Sequence, residues 1–191
     1  MSSRSPRNCR ARLFVERLED RTVPASVTAP SGIIGWWPGD GGANDISGGG
    51  YATLLNDTGY AAGKVGQAFS FDGSDDGVAV SGTANVQGPR TFEAWIFPHA
   101  NTGRNLPILT GGTVGHGDFF GIIGTVGTNN AVQYDLAVDH WNAPAYYHST
   151  TTVTPEAWNH IALTYDGSTV RFYINGKAVG SATGSDRKSV V

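Results

Sequence analysis

Along residues 158–180 (WNHIALTYDGSTVRFYINGKAVG) apolar and polar side chains alternate with a period of two. Ile161, Leu163 and Tyr165 form one such set, and Val170, Phe172 and Ile174 another. Alternate side chains of an extended strand point to opposite faces, so each segment has one buried and one open face. DGS and NG separate the segments, and Gly, Asn and Asp reach the positive φ of tight hairpin turns at low cost. The pattern predicts a three-stranded antiparallel meander over 158–180. Further short strands are predicted at 67–72, 77–81, 90–97, 106–110, 118–124 and 131–138. Turn chemistry such as GDGG at 39–42, SGGG at 47–50, Asp72-Gly73 and Asp76-Gly77 punctuates the chain. No window of eleven or more residues has a convincing 3.6 period. Many short strands without helices predict an all-β fold, an antiparallel two-sheet β-sandwich.

Composition supports that reading and narrows the partners. Of 191 residues, 27 are Gly and only 15% are charged; the average globular protein has about 7% Gly and roughly 25% charged residues. The net charge of −3 gives no reason to expect nucleic acid or an anionic membrane surface as partner. No apolar run approaches the ~18 residues of a membrane helix, so no transmembrane segment is expected. Cys9 is the single cysteine, which rules out an intrachain disulfide and any metal site built on paired thiolates.

The ends differ from the middle. Residues 1–25 hold six Arg against Glu16, Glu19 and Asp20. The longest apolar run there, Leu13-Phe14-Val15, is too short for the ~7–15 apolar residues of an ordinary secretory signal. The stretch ERLEDRTVPA nevertheless resembles short leaders at the front of large bacterial surface and secreted proteins. Residues 1–30 are read as lying outside the fold, either as a basic leader of export type or as a disordered basic arm. At the other end, DRKSVV is also what one reading frame of a common sequencing-library adapter encodes. Residues 185–191 are expected to be a non-native tail on a domain, 31–184, whose natural sequence continued further.

Four motifs, GWWPGDGGANDISGGG, GKVGQAFSFDGSDDGVAV, TFEAWIFP and WNHIALTYDGSTVRFYINGKAVG, occur in the order and spacing of laminin-G-like domains. The resemblance spans roughly 32–184 and is to the bacterial extracellular type of the concanavalin A-like lectin/glucanase superfamily. It implies a jelly-roll sandwich, here incomplete at the C-terminus because relatives end in further strands. Glucanases of that superfamily cleave with two carboxylates, ~5–5.5 Å or ~6.5–9.5 Å apart, typically at alternate positions of one strand. Only Glu93 lies mid-strand, and its alternate neighbours are Thr91 and Trp95. No GxSxG elbow is present either. No enzymatic activity is expected. Trp36, Trp95 and Trp158 match family tryptophans, for which packing is the expected role.

Two kinds of site remain. The segment DHWNAPAYYHS is polar and interrupted by Pro144, and reads as a loop carrying aromatics. Sugar C–H faces stack on such rings while hydroxyls seek polar side chains, so Asp139, His140, Trp141, Asn142 and Tyr147 form a candidate glycan site. The same rings could instead cover the open end of the sandwich. Calcium, which takes six to eight oxygen ligands, is the plausible ion. Asp40 with Asn44 and Asp45, or Asp72 with Asp75 and Asp76, could supply them, and the resemblance favours Asp40. This chain departs from the family pattern there, with Gly39 where relatives more often have Phe. Turn capping by these carboxylates is the competing role. The sequence thus predicts a non-catalytic, secreted or cell-surface module that binds a glycan or an extracellular protein. Its rivals are a structural or adhesion spacer of a large surface protein and an accessory domain of a glycoside hydrolase.

Overall fold

A computed structural model describes residues 29–81, 88–100, 106–113, 116–126, 132–140 and 147–183. Every regular element among them is a strand, and no helix there is long and apolar enough to cross a membrane. Compactness divides the chain after Ile33. Before that point, the described residues form a turn in which the Ile33 N–H donates to the Pro30 carbonyl at 3.3 Å.

The larger unit contains β1 (Tyr51–Leu55), β2 (Gly59–Ala62), β3 (Gln67–Ser70), β4 (Gly77–Ser81) and β5 (Arg90–Ile96). These are followed by β6 (Leu106–Thr113), β7 (His116–Val126), β8 (Val132–His140) and β9 (Tyr147–His148). The last three are β10 (Asn159–Tyr165), β11 (Thr169–Ile174) and β12 (Lys177–Thr183). One four-stranded sheet runs β12-β11-β10-β5 and the other β6-β7-β8-β9, while β1-β4 and β2-β3 form two-stranded pairs. Every pairing is antiparallel.

The period-two pattern explains the core. Ile161, Leu163 and Tyr165 of β10 and Val170, Phe172 and Ile174 of β11 are all buried on one face. They meet Phe120 and Ile122 of β7, with Phe92, Ala94 and Ile96 of β5 packed around them. The Phe92 and Phe120 rings stack with centroids 6.0 Å apart, which ties the two four-stranded sheets face to face. Burying each such side chain contributes about 1.5–3 kcal/mol. The chain is an all-β sandwich, as the alternation predicts.

Turn chemistry fixes the register. Asn175 (φ 50°) and Gly176 (φ 76°) turn β11 into β12, both in the left-handed region that a two-residue hairpin demands. The Asn175 side-chain oxygen also accepts the His160 N–H at 2.9 Å. Asn159, 1% exposed, closes the turn before β10: its amide donates to the Thr154 and Ala157 carbonyls and accepts the Thr154 N–H. On β12, Gly180 faces Phe172 but Ala178 faces Tyr173, which leaves Val179 as an extra residue in a β-bulge. Its carbonyl accepts both the N–H and the hydroxyl of Thr150, each at 2.6 Å.

The structure differs from the sequence expectation at several strands. β1 and β2 are strands where none is predicted, and β9 arises inside the segment read as a loop, pairing Tyr147 with Val138 and His148 with Ala137. β8 also extends through His140. The loop between β8 and β9 is therefore shorter than expected, because ladder pairing with β7 carries Asp139 and His140 into the sheet (Asp139 opposite Phe119, His140 opposite Asp118).

Candidate functional site

The acidic loop after Trp36 is held together by one carboxylate. Asp45 Oδ1 accepts the Trp36 N–H, the Ser47 N–H and the Ser47 hydroxyl at 2.7–2.8 Å, and Oδ2 accepts the Gly49 N–H at 3.1 Å. The Ile46 N–H returns to the Trp36 carbonyl at 2.9 Å. Burial pushes the Asp45 carboxyl up, but the bonds from Ser47, Trp36 and Gly49 together outweigh it and hold the pKa below its ordinary value. Both Asp45 oxygens are thus committed to loop donors. Asp40 turns elsewhere and accepts the Gln67 N–H at 2.9 Å, while Asn44 is exposed. Gly39 has a physical reason: its φ is 68°, and a Cβ there would lie 2.9 Å from the Phe69 nitrogen and 3.0 Å from its ring. A phenylalanine has no room at that position.

The second acidic turn brings carboxylate oxygens of Asp72, Asp75 and Asp76 within 4.8 Å of one another. Asp76 Oδ2 accepts the Asp72 N–H and Asp72 Oδ1 the Ser74 N–H, so two of the acids also cap their own turn. An open groove of about 450 Å³ lies against Tyr51, Asn44, Asp45 and Ser81.

Of the candidate glycan residues, Asp139 and His140 end β8 and Tyr147 opens β9. The antiparallel β8–β9 pairing therefore returns Tyr147 to the stretch of sheet that Asp139 and His140 leave. Trp141 and Asn142, and the side chains of the other three, lie outside the described residues.

A different surface stands out on the other sheet. On β5 the inward residues are Phe92, Ala94 and Ile96, so Thr91, Glu93 and Trp95 face outward. Trp95, for which packing is the expected role, is only partly covered, with 51% of the residue exposed. Trp36 and Trp158, by contrast, are half-buried. Trp95 faces His160 across the ladder, with ring centroids 5.2 Å apart. His160 Nε2 lies 3.8 Å from Glu93 Oε2, and Lys64 Nζ sits over the Trp95 ring, 5.3 Å from its centroid. Ala162 lies between Glu93 and Tyr173 in the cross-strand order and is 8% exposed. Indole, carboxylate, imidazole and ammonium are thereby gathered on one open sheet face.

The outward parity of Glu93 and Trp95 is readable from TFEAWIF alone. Lys64 is not, because its hairpin comes 31 positions before Trp95 and reaches it only through packing. Beyond the end of β5, Glu156 (φ 54°) donates its N–H to the Pro98 carbonyl at 2.8 Å. Its carboxylate accepts the Ala100 N–H at 2.9 Å and meets His99 Nδ1 at 3.1 Å. The Ala100 bond first, and His99 second, hold the Glu156 carboxyl below its usual value.

A laminin-G family model, described as the concanavalin A-like lectin/glucanases superfamily, matches residues 72–190. Among solved structures, the chain is similar to domain 4 of AbnA, a GH43 extracellular arabinanase from Geobacillus stearothermophilus, in complex with arabinotriose. Identity is 20% and the TM-score 0.55, over 74% of this chain and 70% of that one. It is also similar to an S-layer domain-containing protein (residues 221–444) from Clostridium thermocellum, at 24% identity and a TM-score of 0.43, over 82% and 75% of the two chains. No curated protein matches it.

Proposed function

The chain belongs to the concanavalin A-like lectin/glucanases superfamily, and from that premise we propose that it is a non-catalytic extracellular module that binds a glycan on the outer face of β5 and β10. One observation carries the reading: the half-exposed indole of Trp95 beside Glu93 and His160. A pyranose or furanose ring offers a C–H face to an aromatic surface and hydroxyls to polar neighbours. Glu93 accepts hydrogen bonds, and His160 can donate or accept according to tautomer. Arabinotriose bound to a domain of similar fold supports an oligosaccharide as the ligand.

The same face argues against hydrolysis. Glycosidases need a second carboxylate within ~9.5 Å of the first, whereas the alternate-position neighbours of Glu93 on β5 are Thr91 and Trp95 and its cross-strand partner is Ala162. Calcium enters the reading at the acidic turn of Asp72, Asp75 and Asp76 rather than at Asp45. A melting midpoint that falls with chelator in the native chain but not in Asp76→Asn is the expected sign of it.

A glycan array probed with the native chain and with Trp95→Ala tests the function. The expected result is binding that weakens at least about tenfold in the variant, the loss typical of a central aromatic anchor, with the melting midpoint kept. Silence across the array favours the spacer reading. Binding that survives Trp95→Ala but not Trp141→Ala moves the site to the β8–β9 loop.

A further inference from the structure

We propose that the sugar held on Trp95 is anionic, its charge taken by Lys64. This rests on the glycan reading above and names the class of glycan.

Lys64 sits in the turn between β2 and β3, which is braced from two sides. The Gly63 N–H donates to the Gly66 carbonyl at 3.0 Å, and the Gln67 N–H just beyond is held by Asp40 at 2.9 Å. The base of the lysine is therefore fixed while its four-carbon stem is free to swing. Of the other charged groups on this face, Arg171 pairs with Asp166 at 2.6 Å, whereas Glu93 Oε2, 3.8 Å from His160 Nε2, is beyond hydrogen-bond distance and stays open to sugar hydroxyls. Lys64 has no carboxylate partner among the described residues. Its ammonium rests instead on the indole, 5.3 Å from the ring centroid, a contact between a cation and a π face.

That position sets up a choice between ligands. A neutral sugar stacking on Trp95 has to compete with the ammonium for the ring and offers it no charge in return. A sugar bearing an acid group gives the ammonium a counter-ion at the rim of the ring while its own C–H face takes the ammonium's place. The lysine thus disfavours neutral rings and rewards acidic ones with one movement. The net charge of the chain is −3, so attraction to a polyanion comes from this local contact and not from the field of the whole molecule. A lysine ammonium is a point charge without bidentate geometry, so a uronate carboxylate and a sulfate ester share the required chemistry.

The test compares polygalacturonate, a sulfated galactan and neutral galactan as ligands of the full chain, at low and moderate salt. Native protein should bind one or both acidic polymers more tightly, with affinity falling as salt rises. Lys64→Gln should remove roughly three- to fivefold of that preference, the size of one exposed ion pair. It should flatten the salt dependence and leave neutral binding equal or better. Lys177→Gln, which removes an exposed lysine from β12, should change none of these. Preference for polygalacturonate identifies the charge as carboxylate, and preference for the sulfated polymer identifies it as sulfate. Equal or weaker binding of both acidic polymers overturns the inference, yet leaves the glycan reading standing if Trp95→Ala still abolishes binding. Acidic binding that resists Trp95→Ala also overturns it, as unspecific charge attraction. Absence of binding to all three polymers overturns the inference, and the glycan reading falls with it only if the array is silent as well.

Discussion

Along β10 from Ile161 onward and along β11 the inward side chains are apolar and Ile161, Leu163, Val170 and Phe172 are 0–2% exposed, whereas no residue of β1 to β4 is fully buried. Between residues 34 and 81 the buried side chains are polar: Asp45 and Thr58, each 7% exposed. Thr58 Oγ1 lies 2.6 Å from the Leu55 carbonyl and accepts the Gly77 N–H at 2.8 Å, joining the end of β1 to the start of β4. An aromatic row, Tyr60, Phe69 and Phe71, with centroids 5.7 and 6.1 Å apart, packs along the β2–β3 pair, but Phe71 remains 51% exposed. One region is held by expelling water from an apolar interior, the other by a few carboxylate and hydroxyl contacts that satisfy loop backbone. Each region therefore has its own weak point.

The largest effect belongs to the apolar region. Phe172→Ala should cost about 3–5 kcal/mol in denaturant unfolding, the usual loss for a large side chain in a close-packed core. A loss below about 1 kcal/mol would show that the two sheets are not closely packed there. Next comes Asp45→Asn, expected to cost about 2 kcal/mol. An amide NH₂ then faces donors that a carboxylate accepted, leaving at least one of them unpaired. That variant also sharpens the comparison by pH. The Asp45 pKa is lowered in the folded state, so its stabilisation is complete above the unfolded value near 3.8 and is lost as pH falls through the folded one. Native protein should lose this part of its stability in an acid titration below about pH 4, and Asp45→Asn should not. A native chain as flat as the variant would remove Asp45 as the lock of its loop.

Thr58→Val should cost about 1 kcal/mol, by leaving the Gly77 N–H without its acceptor while keeping side-chain volume. The smallest change is expected at the β10–β11 turn. Asp166 there accepts Arg171 first, then the Thr169 and Ser168 amides, and its pKa lies far below the ordinary value. The pair is open to water, so Arg171→Gln should shift the melting midpoint less than Thr58→Val does. A larger shift would mean that surface charge contributes more than the buried hydroxyl.

The same contrast explains what could be read in advance. In β10 and β11 a strict alternation writes both strand and face into the residues themselves. β1 hides because Tyr51 and Leu55 are apolar yet outward, which blurs the period in YATLL, and β2 because GYAA offers small side chains with little pattern. The acidic loops were legible as turns, and the capping alternative describes Asp45 well. Which carboxylate each amide would meet depends on backbone closure, as in the pairing of Trp36 with Asp45 nine residues on. For the candidate site, parity shows Glu93 and Trp95 on one face. Exposure of the indole and arrival of Lys64 above it depend on how the β2–β3 hairpin packs, which no local pattern encodes.

The bulge at Val179 has a further consequence. Strand edges invite neighbouring molecules to zip on, and a flat, regular ribbon is the easiest template for that growth. Among the described residues β12 ends its sheet with a local twist, and the carbonyl at the kink is already taken by Thr150. A second molecule laying a strand there would find the rungs out of step and one of them occupied, so the irregularity acts as a guard against fibrous self-association.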